Sequence, residues 1–327
     1  MTRRALVTGG GGFIGAHLVR HLVREDWDVS VVDNFLRGSR GRLAELEDSV
    51  RLHTADVRDE DSLTALATGV DVVFHLATVN GTENFYRHPE LVLDVGIRGA
   101  LAVVNACRRA GVPDLVVASS AEVYQAPNVI PTPEDVALML PDSKNPRYSY
   151  GGSKIATELI AFNYGREHFR KLQVFRPHNV YGPDMGWKHV IPQLISRILL
   201  SNRNMSPVGI PILGDGTATR SFCFVDDVVA GIALMYAEGD DRQVFHIGND
   251  VEVSVREVVD LLGGLLDVDV ILEPSAEPEG STMRRCPDLT KMRGLGYSPA
   301  VELREGLFRT VDWYRAHPEP PEAEGLL

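Results

Sequence analysis

The chain has little cysteine. Of its 327 residues only Cys107, Cys223 and Cys286 are cysteines, far apart and without a C-x-x-C pair. That argues against a disulfide framework and fits a reduced, cytoplasmic protein; no metal site is expected. Long apolar runs are absent too, none approaching the ~20 residues that span a bilayer, so no membrane segment is expected. The opening MTRRALVTGG runs at once into a strand and a glycine turn, so no signal peptide is expected. Basic residues are in deficit, 33 Lys and Arg against 45 Asp and Glu, for a formal net charge of −12. That balance argues against nonspecific binding to nucleic acid or anionic membrane, yet allows a local basic pocket for phosphate. Repeats and low-complexity tracts are missing, and only the tail HPEPPEAEGLL reads as poorly ordered.

Apolar content of 44% and charged content of 24% are ordinary for a globular protein. The length exceeds what one core usually supports, so a large domain with a smaller lobe, or two domains, is expected. Short apolar, β-prone runs stand at 4–8 (RALVT), 29–33 (VSVVD), 51–56 (RLHTAD), 70–78 (VDVVFHLAT), 114–120 (DLVVASS) and 172–177 (LQVFRP). Helical patterns lie between them. FIGAHLVRHLVRE follows the first strand, ELVLDVGIRGALAVVNACRRAG reads as one long helix ending at Gly111, and residues 150–168 read as another. Such alternation predicts right-handed βαβ crossovers and a parallel sheet, and strands apolar on both faces predict helices on each side. After GPDMG at 182–186 the elements shorten and the loops lengthen. This predicts a smaller lobe closing over the carboxyl edge of the sheet.

TGGGGFIG, from Thr8 to Gly15, sets Gly9, Gly12 and Gly15 in a G-x-x-G-x-x-G spacing between strand and helix. Such a turn needs a positive φ and close backbone approach, and the helix beyond it offers free N–H groups to a pyrophosphate. An acid, Asp33, ends the second strand. A carboxylate there accepts from ribose hydroxyls and repels a 2′-phosphate, which favours NAD over NADP; Arg37, four residues on, leaves NADP open. The expected cofactor set is Gly9, Gly12, Phe13, Ile14, Gly15, Asp33 and Asn34, with Asp56 and Val57 beside the adenine, then Leu76, Ala77, Tyr150, Lys154 and Pro177. For Asp56 the alternative is a cap on the helix beginning near Asp59. The expected fold is therefore α/β, a Rossmann doubly wound parallel sheet with a smaller C-terminal α/β substrate lobe. Residues 1–182 would bind NAD, 222–250 would return to that domain, and 183–327 would form mainly the lobe.

Tyr150 and Lys154, in YGGSK, stand four apart and so share a helical face. A phenol of pKa ~10 is a poor base at neutral pH. A nearby ammonium and the positive nicotinamide ring favour its phenolate, which can take a proton from a sugar hydroxyl. Tyr148 falls on the wrong face. Ser119 and Ser120 end the fifth strand, where the ligand crevice of such a sheet lies.

With these motifs the chain resembles the extended short-chain dehydrogenase/reductases that modify sugar nucleotides. The likeness covers TGGGGFIG, DNF at 33–35, HLA at 75–77, SSAEVY, YGGSK, RPHNVYGP at 176–183, GDGTATRSF at 214–222, and RRCPDLTK followed by LGYSP. It implies a catalytic set of Ser120, Tyr150 and Lys154. It implies substrate contacts from Thr78, Ser120, Ala121, Glu122, Asn179 and Arg220, with Arg285 paired to the pyrophosphate through its bidentate fork. For the two arginines, surface salt bridging is the alternative. The resemblance also implies a homodimer built on two helices per subunit, here 86–111 and 150–168. Where the family has an asparagine, in LDVGIRGA, this chain has Gly96, so a bound water or a shifted backbone must take its place.

In this family the two residues after the catalytic hydroxyl vary with the chemistry. Sugar-nucleotide 4,6-dehydratases carry Asp then Glu, and Ala121 removes the first of these, which disfavours that reaction. UDP-glucuronate decarboxylases carry Ser then Glu, compatible with Glu122. UDP-galactose 4-epimerases can carry Ala then Thr, and GDP-mannose 3,5-epimerase Ala then Cys. The last uses a second acid/base, a Lys on the loop after YGP, for which Lys188 and His189 are the nearest candidates. Glu122 is then either an acid/base beside a transient ketone or a polar strand-end residue bonding a sugar hydroxyl or a backbone N–H. The expected activity is an NAD-dependent sugar-nucleotide epimerase that oxidises C4 transiently. A decarboxylase or dehydratase sharing the 4-keto intermediate is the alternative, and a non-catalytic NAD-binding regulator a remote third. Segment 201–213 is expected to contact the base.

Overall fold

Seven parallel strands form the central sheet of the computed structural model, which describes residues 2–200, 207–276 and 282–318. They are β1 (Arg4–Thr8), β2 (Asp28–Asp33), β3 (Val50–Thr54), β4 (Val72–His75), β5 (Asp114–Ala118), β6 (Lys171–Pro177) and a seventh, Gln243–Ile247. From one edge the order is the seventh strand, β6, β5, β4, β1, β2, β3. The order reverses between β4 and β1, and a crevice opens at the carboxyl ends there.

Side chains alternate across the sheet, as the two-residue period of a strand requires. Val7, Phe74, Val116 and Phe175 bury themselves in one cluster, which includes Ala16, Leu18, Val19 and Leu22 of helix α1 (Phe13–Arg24) and Val228, Ile232 and Met235 of helix Val225–Glu238. Leu6, Val73, Leu115, Val117 and Val174 point the other way. They pack with Leu63 of α2 (Glu60–Ala67) and with Val103, Ala106 and Ala161 of two later helices. Each fully buried Val or Leu contributes ~1.5–3 kcal/mol, so both faces are strongly driven to acquire helices.

The segment read as one long helix is three pieces. After α3 (Thr82–Arg87) come α4 (Pro89–Leu93), a π-helical turn over Asp94–Arg98, and α5 (Gly99–Ala110), which ends on left-handed Gly111 at φ 71°. Gly96 lies in the middle of the π turn, where a helix lacks both propensity and side-chain support. The expected helix at 150–168 is α6 (Ser149–Tyr164). The fourth strand ends at His75, three residues short of its expected limit, because Leu76, Ala77 and Thr78 turn along the crevice.

A separate core cluster gathers mainly residues after 180. Ile191, Leu194, Ile195 and Ile198 of helix Val190–Leu200 pack against Val208 and Ile210, Val258 and Leu262, and Leu307 and Tyr314. Helix Val255–Leu266 starts at a reciprocal capping box, Ser254 with Glu257. Three short strands, Val253–Ser254, Thr219–Arg220 and Arg284–Arg285, form a small sheet that places Arg220 opposite Arg285. Of segment 201–213, residues 201–206 lie outside the described residues, as does 319–327 of the tail, and Val208–Leu213 is a strand. No helix of the described residues is long and apolar enough to cross a membrane.

Candidate active site

The crevice encloses about 1050 Å³, at the upper end of the ~300–1,000 Å³ usual for small-ligand sites. Its floor is the glycine turn. Gly9 takes φ 73°, and a side chain there would lie 2.6 Å from the Ala77 nitrogen. At Gly15 a Cβ would fall 2.1 Å from the Gly9 carbonyl. Only glycine allows this turn to close on itself and leave room for a ligand. Helix α1 begins at Gly12 with no capping side chain and no acid in its first turn, so its free N–H groups suit an anion.

Asp33 is buried, and its carboxylate accepts from the Gly11 N–H at 2.9 Å and the Phe35 N–H at 2.7 Å. Burial pushes its pKa up, opposed by those two N–H groups and Arg42. It therefore braces the turn and still borders the crevice. Asn34, Val57, Leu76, Ala77 and Pro177 border it as well. Asp56 does not. Its carboxylate bonds Arg58 and Asn34, and Arg58 holds it down at about 2; helix α2 is capped instead by Asp59. Thr78 contributes a buried hydroxyl without a hydrogen-bond partner among the described residues, an opening for a ligand atom.

Ser120, Tyr150 and Lys154 converge at the ends of β5 and α6. Tyr150 is buried, bonds Ser120 and stacks on Phe85 with ring centroids 5.1 Å apart. Lys154 Nζ donates to the Ala118 carbonyl at 2.8 Å and stands 5.8 Å from the Tyr150 ring centroid. Burial raises the Tyr150 pKa; the Ser120 bond lowers it and the Glu122 charge raises it further. In the protein alone the phenol therefore stays protonated, so the sequence's expectation of a phenolate needs the added positive charge of a cofactor. Burial brings Lys154 down to about 8, with Glu158 acting upward. His75 bonds Thr8 at 2.8 Å; burial and then Lys154 lower its pKa to about 3, which leaves it neutral at pH 7.

Glu122 lies on the turn Ala121–Tyr124 and pairs with Arg285 Nη1 at 2.6 Å. Burial works against its charge, but Arg285, Arg147 and Arg220 outweigh it and hold the carboxyl below its ordinary range. So Arg285 is neither a surface ion pair nor turned wholly toward the crevice. Arg220 also borders the crevice. Asn179 borders it at φ 38°, a left-handed conformation asparagine tolerates well, and donates to the Ser221 carbonyl at 3.2 Å. Lys188 is tied to Glu83 at 2.8 Å. Burial and then Arg37 and Arg42 lower the His189 pKa to about 4, which leaves it neutral at pH 7.

Gly96 packs tightly against α6. A Cβ there would lie 2.7 Å from that of Ser153, which sits between Tyr150 and Lys154, and the Gly96 carbonyl accepts from Thr157 Oγ1 at 3.3 Å. Sequence reading missed Phe85 and Arg147. Phe85 carries no motif, while Arg147, three residues before Tyr150 on a 3₁₀ turn, could have been found by its place in the chain.

The sequence profile of the NAD dependent epimerase/dehydratase family matches residues 5–248. A putative UDP-glucose 4-epimerase of Methanocaldococcus jannaschii is 31% identical, over 95% of this chain and 98% of its own. UDP-glucuronic acid decarboxylase 5 of Arabidopsis thaliana is 30% identical, over 93% and 87%. A crystal structure of dTDP-glucose 4,6-dehydratase from Streptomyces venezuelae with NAD bound superposes with a TM-score of 0.86 at 30% identity, covering 96% of this chain and 97% of the other. The glycine turn and Asp33 fit NAD, the cofactor of the matched family and of that crystal structure. Cleft and comparison agree: this chain belongs to the NAD-dependent epimerase/dehydratase family, enzymes that act on nucleotide sugars with NAD.

Proposed function

We propose that the protein is a nucleotide-sugar epimerase acting through transient oxidation at C4. The observation that carries this reading is an intact Ser120–Tyr150–Lys154 set beside Ala121, which leaves no acid at that position to protonate a departing hydroxyl. Bound NAD supplies a reversible two-electron oxidation at C4 of the sugar. Tyr150 takes the proton of the C4 hydroxyl and later returns it. Ser120 holds the Tyr150 oxygen by its hydrogen bond, and Lys154 favours the phenolate by its charge. Glu122, ionised and bonded to Arg285, has no proton to give and serves as an acceptor for a sugar hydroxyl.

A second reading has a specific observation behind it. Arg147 borders the crevice near Glu122, and its Nε is buried without a hydrogen-bond partner among the described residues, as is Arg285 Nε. Guanidinium groups so placed suit a sugar carboxylate. A 4-keto uronate is a β-keto acid. Its C5–C6 bond can break with loss of carbon dioxide, the electron pair passing to the C4 oxygen before a proton adds at C5.

One experiment separates the two. The protein is given NAD+ and UDP-, GDP-, dTDP- and CDP-sugars, uronates included, and products are read by mass spectrometry and NMR. A product of unchanged mass with altered ring couplings supports the epimerase, and Glu122→Gln is then expected to retain inversion with a raised KM. Loss of 44 or 18 mass units, expected for carbon dioxide or water by simple stoichiometry, sinks it.

The same reading makes the enzyme a cytoplasmic homodimer. Leu159 and Tyr164 leave 59% and 51% of their surfaces exposed on α6, one of the two helices expected at the interface. Leu159→Arg should yield a monomer in light scattering, whereas a monomeric parent protein would refute the dimer.

A further inference from the structure

Glu158 does not border the crevice, yet three parts of the site meet on it. It lies on α6, one turn beyond Lys154. Arg176 of β6 reaches it from across the sheet with two bonds, Nε to Oε1 at 2.8 Å and Nη2 to Oε2 at 2.6 Å. Ser119, next to the catalytic Ser120, donates to Oε1 at 2.5 Å. Both partners of the ion pair are almost wholly enclosed, with side-chain exposures of 4% and 6%. Arg176 also bonds the Tyr124 hydroxyl and the Glu134 carbonyl, so the turn carrying Glu122 hangs from the same guanidinium.

We propose that Glu158 is a positioning residue for catalysis: held by Arg176 and Ser119, its carboxylate locks α6, and with it Tyr150 and Lys154, to the Ser120 turn. The inference rests on the reading of Ser120, Tyr150 and Lys154 as the reacting set. A buried ion pair contributes little net stability over an apolar replacement, so stability alone does not explain one at this place.

The groups facing Lys154 are few. His75 of β4 is neutral, β5 offers the Ala118 carbonyl, and α6 supplies Tyr150 and Glu158, with Arg176 of β6 acting through Glu158. Among the described residues, Glu158 is the anion that counters burial at Lys154. Without its charge Lys154 loses its proton at lower pH.

The test is a pH profile of kcat for the NAD-loaded enzyme on a substrate it turns over. In the parent enzyme activity should fall as pH rises through about 8, where Lys154 deprotonates. For Glu158→Gln the descending limb should move down by about one pH unit, with kcat at pH 8 reduced about fivefold and NAD affinity unchanged. Glu158→Asp should restore the limb in part. Because Glu158→Gln strands a buried guanidinium, the pair Glu158→Gln with Arg176→Gln is measured beside it and should show the same displaced limb. A limb that stays in place in both variants overturns the proposal, even if kcat or Tm falls, since that is the mark of a purely structural pair. Tyr150→Phe runs in parallel: full activity there brings down the underlying reading, and with it this one.

Discussion

Tyr150→Phe should lower kcat about a thousandfold, within the ~10²–10⁴ that positioned acid–base groups contribute, while NAD still binds. The ring is what holds the fold at this point. It is buried and stacks on Phe85 at an interplanar angle of 11°, and phenylalanine keeps that contact. What goes is the hydroxyl, with one hydrogen bond to Ser120, a stability cost of about 1 kcal/mol. Fluorescence titration of NAD and steady-state kinetics on a turned-over nucleotide sugar measure the two effects separately. If kcat were unchanged, Tyr150 would not move the proton, and the non-catalytic regulator would become the leading reading.

Gly96→Asn, which returns the residue expected of the family, should harm this chain. The new Cβ would lie 2.7 Å from Ser153 Cβ and 2.8 Å from its Oγ. Ser153 has little freedom to yield, because it is fully buried and its hydroxyl donates to the Tyr150 carbonyl at 2.8 Å. Overpacking of this kind costs ~1–3 kcal/mol, and Tm should fall by roughly 2–10 °C. Displacing α6 also displaces Tyr150 and Lys154, for which misplacement near 1 Å costs about a hundredfold in rate. Adding Ser153→Gly removes both clashing atoms and should recover part of the lost kcat. A Gly96→Asn enzyme as fast and as stable as the parent would show that the π turn gives way freely.

Much of the fold was legible because its causes are local. Gly9 is required by a positive φ, Gly15 by a carbonyl with no room beside it, and Gly111 by a left-handed helix end. Leu6 and Val7, or Val73 and Phe74, alternate because a strand has two faces and both are buried. The break in the helix around Gly96 was not legible, since an apolar period of 3.6 continues across it and the close approach of Ser153, on another helix, is a tertiary contact.

The sequence by itself determined the doubly wound sheet, the dinucleotide turn and the Ser120–Tyr150–Lys154 set, because backbone geometry and helical spacing act over a few residues. Tertiary structure alone decided the partners of the charges. Glu122 meets Arg285 across 163 positions, Arg42 meets Asp184 across 142, and Lys188 meets Glu83 across 105. With 45 acids and 33 basic residues in the chain, any pairing is chemically allowed. Which one forms depends on the strand order that brings distant segments together and on the burial that makes an unpaired charge costly.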